Sequence, residues 1–213
     1  MILAITGTPG TGKSSLCKAY GRERGEGQGQ GQREGSGLKI DCLDLNAVIA
    51  EKGFHTGVDT ESWSLIADID RLEEYVRHKE QEEKEKSDLD PVLVIEGHLA
   101  HLLNPDVVIV LRTDPSLLIE RLKQKAFPLR KIRENVDAEI LDVILIEAVE
   151  LCKIVYEIDT SRKRVEEVSA LVRAIIDVER ERGEDGNERR AALRHKYKPG
   201  SIDWTRQDNT GNE

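Results

Sequence analysis

The octapeptide Gly7-Thr8-Pro9-Gly10-Thr11-Gly12-Lys13-Ser14 follows directly on the apolar run Met1-Ile2-Leu3-Ala4-Ile5. It matches in full the phosphate-binding pattern G-x-x-x-x-G-K-[ST]. A chain with that pattern in that place is committed to one local architecture: a buried strand, a tight glycine-rich turn, and a helix opening at Lys13. Successive backbone N–H groups of such a turn converge into an anion nest, and the positive end of the helix dipole reinforces it. The glycines let the backbone bend through conformations closed to residues with a Cβ and approach phosphates closely. Lys13 is expected to reach the β- and γ-phosphates, and the Ser14 hydroxyl to ligate a magnesium ion. The sequence therefore predicts binding of a nucleoside triphosphate together with Mg2+.

The rest of the pattern extends that unit. Val92-Leu93-Val94-Ile95 and Val107-Val108-Ile109-Val110-Leu111 are continuous apolar runs, as in central strands buried on both faces. Leu38–Leu43 and Ile154–Ile158 supply two more strands. Helical patterns lie between them: Lys13–Arg22, a short one at 45–53, Leu117–Gln124, Lys131–Leu151 and a final helix at Val165–Arg182. The stripe Trp63, Ile66, Ile69, Leu72 and Val76 predicts one further helix capped at Thr60, after a loop at Gly57–Thr60. In the helix from Lys131, Ile140, Leu141, Ile144, Leu145 and Ala148 form the apolar face. Strands alternating with helices predict an α/β P-loop NTPase fold, a five-stranded parallel sheet with helices on both faces under right-handed crossovers. Ligands of such sheets bind outside the carboxyl ends of the strands.

The length of 213 residues suits one compact domain, read here as residues 1–183, followed by a polar, partly disordered tail at 184–213. Hydrophobic residues make up 38% and charged residues 34%, and the charge excess is concentrated in visible stretches. One is His78–Asp90, a solvated helix end or an interaction arm. Residues 25–37, GEGQGQGQREGSG, read as a flexible surface insertion. A net charge of −9 disfavours broad nonspecific binding to nucleic acid, while leaving room for a local basic site. With no long apolar run and no signal peptide, a soluble, cytoplasmic protein with no membrane partner is expected. Cys17, Cys42 and Cys152 form no C-x-x-C pair and are read as small buried side chains.

Glu96 immediately follows the third strand of the predicted sheet, where an acidic residue holds magnesium, usually through water. His98 follows in Glu96-Gly97-His98. It could orient an attacking water or respond to the γ-phosphate, or it could cap and pack the loop. His101 reads as part of a packed helical turn. Arg112 closes the next strand and could face phosphates or pair with Asp114. Arg121, Lys125, Arg130, Lys131 and Arg133 cluster around the helix break at Ala126–Leu129. That is either a short cationic lid or a set of solvated helix charges. The basic stretch Arg189–Lys198, with Tyr197 and Trp204, could touch RNA or ribosomal protein, or dock Ile202 and Trp204 on the domain.

Taken in order, GTPGTGKS, LVIEGH, VIVLRTD, KIRENVDAEILDVI and YEIDTS resemble the archaeal and eukaryotic atypical adenylate kinases, the adenylate kinase isoenzyme 6 or coilin-interacting nuclear ATPase family. The resemblance covers roughly residues 1–180. It implies ATP binding by Gly10, Gly12, Lys13, Ser14 and Ser15, and catalysis and ATP hydrolysis at Glu96 and His98. It also implies a nucleoside monophosphate (NMP)-binding segment at about 41–64 and a very short lid at about 124–134. That lid usually opens Arg-Gly-aromatic, where this chain has Lys125-Ala126-Phe127. A lysine lacks the planar two-pronged grip of arginine, and Arg130 is a candidate substitute.

The expected activity is transfer of the γ-phosphoryl of ATP-Mg to AMP or a related NMP, with Lys13, Glu96 and His98 catalytic. Ser14 and Glu96 would hold Mg2+, and Lys125 would assist ATP binding. The resemblance adds ATP hydrolysis and a role in maturation of the small ribosomal subunit, with a platform ribosomal protein and pre-ribosomal RNA as the partner context. An assembly ATPase is the alternative of another class. A kinase of a different small acceptor, such as shikimate, shares the P-loop but not the later segments.

Overall fold

The computed structural model describes residues 1–25, 40–59, 64–86 and 91–205. Its strands are β1 (Ile2–Thr6), β2 (Ile40–Asp44), β3 (His55–Asp59), β4 (Ser64–Ala67), β5 (Val92–Glu96), β6 (Val107–Arg112) and β7 (Val155–Asp159). Five of them form the main sheet in the order β2-β5-β1-β6-β7, every pair parallel. The expected sheet is therefore present. β1, β5 and β6 are buried at every residue, which is why their sequences are continuous apolar runs rather than alternating ones.

The helices are α1 (Lys13–Gly25), α2 (Leu45–Lys52), α3 (Ile69–Glu85), α4 (Pro115–Gln124), α5 (Leu129–Ile140), α6 (Val143–Leu151), α7 (Val165–Arg180) and α8 (Glu184–Lys196). They cover both faces. Leu3 and Ile5 pack with Leu16 and Tyr20 of α1 and Val172, Ile175 and Ile176 of α7. Ile2 and Ala4, one residue out of phase, pack with Val48, Leu72, Val76 and Leu145 on the opposite layer. Truncating Leu3 or Ile5 to alanine would cost about 2–5 kcal/mol, because neither layer has slack to refill the hole.

Four expectations are corrected. The segment read as one helix from Thr60 is instead an antiparallel hairpin, β3 with β4, and the helix begins only at Ile69. Asp68 decides the boundary: its side chain accepts the Arg71 amide and caps α3. Ile66, counted in the helical stripe, pairs with Gly57 on the hairpin and is 49% exposed. Thr60 and Trp63 lie outside the described residues.

The long helix expected from Lys131 is two helices. Asp142 adopts φ 56°, a left-handed conformation that turns the chain between α5 and α6, and Leu141 is 63% exposed rather than on an apolar face. The last helix is α8, not α7. It is tied back to α7 by Arg194, which donates to both carboxylate oxygens of Glu179 at 2.8 and 2.6 Å. Finally, Cys17 and Cys42 are joined in a disulfide between α1 and β2, with Cα atoms 5.6 Å apart, while Cys152 is free. The spacing of 25 residues gave no hint, because α1 and β2 become neighbours only through the sheet. The Gly/Gln insertion lies, from residue 26 on, outside the described residues, as does the tail from 206.

Candidate functional site

The turn after β1 is shaped by three glycines at φ 134° (Gly7), 100° (Gly10) and 106° (Gly12). Space as well as conformation selects the first two. A Cβ on Gly7 would run into the carbonyl oxygen of Leu111, and one on Gly10 would lie 2.7 Å from Leu118 Cδ1. The loop is pinned from outside. Thr160 Oγ1 donates to the Thr11 carbonyl at 2.9 Å, Thr11 Oγ1 donates to the Thr8 carbonyl at 2.9 Å, and Arg121 donates to the Gly10 carbonyl at 3.3 Å.

Lys13 is buried, and its ammonium donates to the Gly7 carbonyl at 2.6 Å and the Thr8 carbonyl at 3.1 Å. Burial lowers its pKa to about 8, against the opposing pull of Glu96 and Glu139. Glu96 is the last residue of β5 and is 1% exposed. The Ser14 hydroxyl hydrogen-bonds its carboxylate, and burial, with Asp44 nearby, raises its pKa. Its Oε2 atom has no hydrogen-bond partner among the described residues. A buried carboxylate oxygen beside a lysine and a serine is a fit place for a hydrated cation. Among the described residues no three His, Cys, Asp or Glu side chains converge on a metal, so Ser14 and Glu96 would serve such an ion with ligands from solvent and phosphate.

Three cavities run side by side along this loop. The first, about 260 Å³, has apolar walls of Leu16, Leu111, Val165 and Val168 and polar groups from Gln124, Thr160 and Lys163. The second, about 130 Å³, holds Lys13, Ser14, Glu96, His98, Asn46, Lys125 and Phe127. The third, about 640 Å³, is lined by Thr8, Pro9, His98, Phe127, Lys131 and Asn135. Gly10, Gly12, Ser15 and Lys125 border both the first and the second; His98, Lys125 and Phe127 border both the second and the third. The cleft is therefore continuous: an apolar slot, a charged waist and a wider, mostly apolar chamber to which His98, Lys125, Lys131 and Asn135 bring polar groups. His98 faces the cleft, and its pKa is lowered by desolvation there and by the charges of Lys13, His101 and Lys131.

Residues 3–142 match a family described as "AAA domain". Three proteins named "Putative adenylate kinase" match nearly end to end. That of Methanosarcina barkeri is 40% identical over 96% of this chain and 97% of its own length. Those of Archaeoglobus fulgidus and Methanocaldococcus jannaschii are 39% and 35% identical over 96% of this chain and 92% and 93% of theirs. The chain belongs to the adenylate-kinase-like P-loop family. A solved shikimate kinase from Bacteroides thetaiotaomicron overlaps 83% of this chain and 98% of its own, with a TM-score of 0.46 at 16% identity, too distant to speak for substrate.

The junction between α4 and α5, the segment expected to be a lid, has a well-defined local structure. α4 ends in a Schellman motif: the Phe127 amide donates to the Leu122 carbonyl at 3.1 Å and the Ala126 amide to the Lys123 carbonyl at 2.9 Å. Phe127 and Leu122 share one apolar cluster, the contact that usually accompanies this motif. The motif needs a left-handed residue between them, and here it is Ala126 at φ 56°. That is the position where the resembled lids have glycine.

Gly10, Gly12, Lys13, Ser14, Ser15, Glu96, His98 and Lys125 are thus brought to one cleft. Arg130 is not: its guanidinium pairs with Glu134 at 2.7 Å, with the side chain 63% exposed. Lys131 and Arg121, from the same basic cluster, line the cavities instead. Arg112 faces neither phosphate nor Asp114. It is buried against Glu139, Asp142 and Glu157. Gln124, Thr160, Lys163, Asn46 and Asn135 escaped notice as cavity residues. Thr160, just past the carboxyl end of β7, and Asn46, just past that of β2, stood where the sheet rule could have found them. His101 is buried, with Nδ1 3.2 Å from Thr6 Oγ1 and Nε2 3.1 Å from a Glu147 oxygen.

Proposed function

We propose that this protein is a nucleoside monophosphate kinase that transfers the γ-phosphoryl group of ATP to AMP or a related NMP. The reading rests chiefly on the charged waist, where Lys13, Ser14, Glu96 and His98 meet between an apolar slot and a wider chamber. The slot suits a flat base and the loop its phosphates, with Lys13 leaving the Gly7 and Thr8 carbonyls for the β- and γ-phosphates. The wider chamber and the segment 41–64 take the acceptor. Lys125 and Lys131 bring positive charge to the equatorial oxygens of the transferring group, and the loop fixes the line of attack. Ser14 and Glu96 would hold magnesium, which supplies charge neutralisation on the β- and γ-oxygens. No covalent intermediate is required, since positioning and charge supply most of the catalysis.

A second reading is favoured by His98 at the mouth of the waist. In that position its imidazole, held neutral by its surroundings, accepts a proton from water and directs it to the γ-phosphate. Hydrolysis would then be a second output, of the kind a cytoplasmic factor uses while assisting small ribosomal subunit maturation, with a platform ribosomal protein as partner. Both readings are tested by following ADP and phosphate from ATP-Mg, with and without each NMP, in the native protein and in His98→Ala. AMP-dependent ADP well above the AMP-free rate supports the kinase. Phosphate release that ignores AMP and vanishes in the variant supports the hydrolase and overturns the first reading.

A further inference from the structure

On the side of β6 away from the apolar slot, a buried polar cluster links the carboxyl-terminal segment to the lid helix. Arg112, 2% exposed, donates through Nε to Glu139 Oε1 at 2.8 Å and through one terminal nitrogen to Glu157 Oε1 at 2.7 Å. Its other terminal nitrogen donates to the Glu139 carbonyl at 2.7 Å and to Asp142. One guanidinium thus holds the last turn of α5 and the left-handed corner that follows it. Glu157, on β7, is 1% exposed, and its second oxygen is satisfied by the strap after α8. It accepts the Ser201 amide at 2.8 Å, the Ser201 hydroxyl at 3.1 Å and the Ile202 amide at 3.3 Å. The Glu157 amide also donates to the Tyr197 carbonyl at 2.8 Å, so the strap lies along β7.

A carboxylate this deep stays ionised only with enough donors, and here three of them come from the strap. Withdrawing them leaves Arg112 as its sole support and disfavours its charge. The guanidinium then loses one of three carboxylate partners and rebalances toward Glu139 and Asp142. Glu139 lies in the last turn of α5 and Asp142 in the corner after it, and Lys131 and Asn135 of the same helix line the wide chamber. A second branch reaches the nucleotide loop: Glu139 Oε1 accepts the Thr113 amide at 3.0 Å, and Arg121 bridges the Thr113 hydroxyl at 3.2 Å and the Gly10 carbonyl at 3.3 Å.

We propose that the strap at Ser201–Ile202 is a positioning element for the lid, acting through Glu157 and Arg112 on the α5–α6 corner. The proposal rests on the kinase reading for what the lid does, and on the contacts alone for the coupling. It is a chain of packed contacts, so the decisive evidence is thermodynamic coupling rather than adjacency.

The experiment compares full-length Ser201→Pro, which removes both Ser201 donors without touching the buried cluster, with Ser201→Ala, which keeps the amide. Glu157→Gln and the double variant complete a cycle. Hydrogen exchange is read at Leu141 and Asp142, whose amides donate to the Asp137 and Glu139 carbonyls, alongside AMP kinetics. Ser201→Pro is expected to speed exchange at the corner about tenfold and to raise the acceptor KM about fivefold with kcat within about twofold. Ser201→Ala stays near the native protein, and Ser201→Pro adds nothing in the Glu157→Gln background. A Ser201→Pro protein with unchanged exchange at the corner and unchanged KM, differing only in melting temperature, overturns the proposal. If no NMP-dependent turnover exists but corner exchange still responds through Glu157, the kinase reading fails and the coupling stands.

Discussion

The two ends of the cleft are built by different means. The donor end is backbone: three glycines in left-handed or extended-positive conformations, clamped by Thr160 and Arg121 and rooted in a strand with no exposed residue. The acceptor side of the proposed kinase is side chain: a two-stranded hairpin that overlaps the segment 41–64, with Val58, Leu65 and Ile66 between 44% and 49% exposed. An isolated hairpin is marginal without packing, whereas the donor loop inherits the rigidity of the sheet. The triphosphate, the same in every nucleotide, meets rigid amides. Groups that vary among acceptors meet adjustable surface.

The contrast can be broken most severely at Lys13. Lys13→Ala removes the buried cation held against the loop carbonyls and should lower kcat/KM about a thousandfold with little change in stability, measured by the coupled assay and by calorimetry. A fall of less than tenfold would mean that Lys125 or Lys131, from the adjustable end, provides the charge.

The disulfide ties α1, which starts at the donor loop, to β2, which leads through Asp44 into α2. Its 25-residue separation gives a loop-closure contribution of about 3 kcal/mol. Reductant, or Cys17→Ser with Cys42→Ser, should lower the urea midpoint accordingly while leaving ATP affinity nearly intact. Loss of ATP affinity on reduction would show that the donor end is not self-sufficient.

At the hairpin, Ile66→Ser should raise the acceptor KM about fivefold and leave the ATP dissociation constant unchanged, read by titration of each nucleotide separately. Equal effects on both nucleotides would erase the distinction between the ends. The smallest effect is pH-linked. Burial lowers the pKa of His101 from its ordinary value of 6.5, with Glu147 opposing. A histidine kept neutral in the folded state contributes stability that is present above pH 6.5 and lost as pH falls through its depressed value. His101→Asn should therefore lose less melting temperature than the native protein between pH 7 and pH 5, by about 3 °C.

Legibility in the sequence follows the same division. β1, the loop, β5 and β6 could be read because a strand buried on both faces must be apolar throughout and a phosphate turn must have glycine where φ is positive. The hairpin was missed because Trp63, Ile66 and Ile69 fit a helical stripe equally well, and only the capping carboxylate of Asp68 separates the two. The α5–α6 corner was missed because its cause is remote. Arg112 on β6 binds the Glu139 carbonyl and Asp142 across 27 and 30 residues, so no local pattern announces the turn. The same distance hid Arg112's role, since next to Asp114 it resembled a phosphate ligand or a local ion pair. Which basic residues reach the cleft was equally closed to inspection. Arg130 and Lys131 are neighbours that both reach Glu134, at 2.7 and 4.0 Å, and helix phase brings only Lys131 to the cavity wall.

Ala126 has a consequence of its own. A residue with a Cβ held at φ 56° sits about 1 kcal/mol above glycine in the same turn, so the Schellman stop of α4 is held in place by its hydrogen bonds and by Phe127 packing against that preference. The α4–α5 junction, the entrance to the proposed lid, therefore behaves as a loaded spring. Any arrangement that lets Ala126 relax is favoured about fivefold more than it would be with glycine, and Ala126→Gly should unload it, raising stability by about 1 kcal/mol and slowing departure from this conformation. In such a protein the tempo of the lid is written in one methyl group.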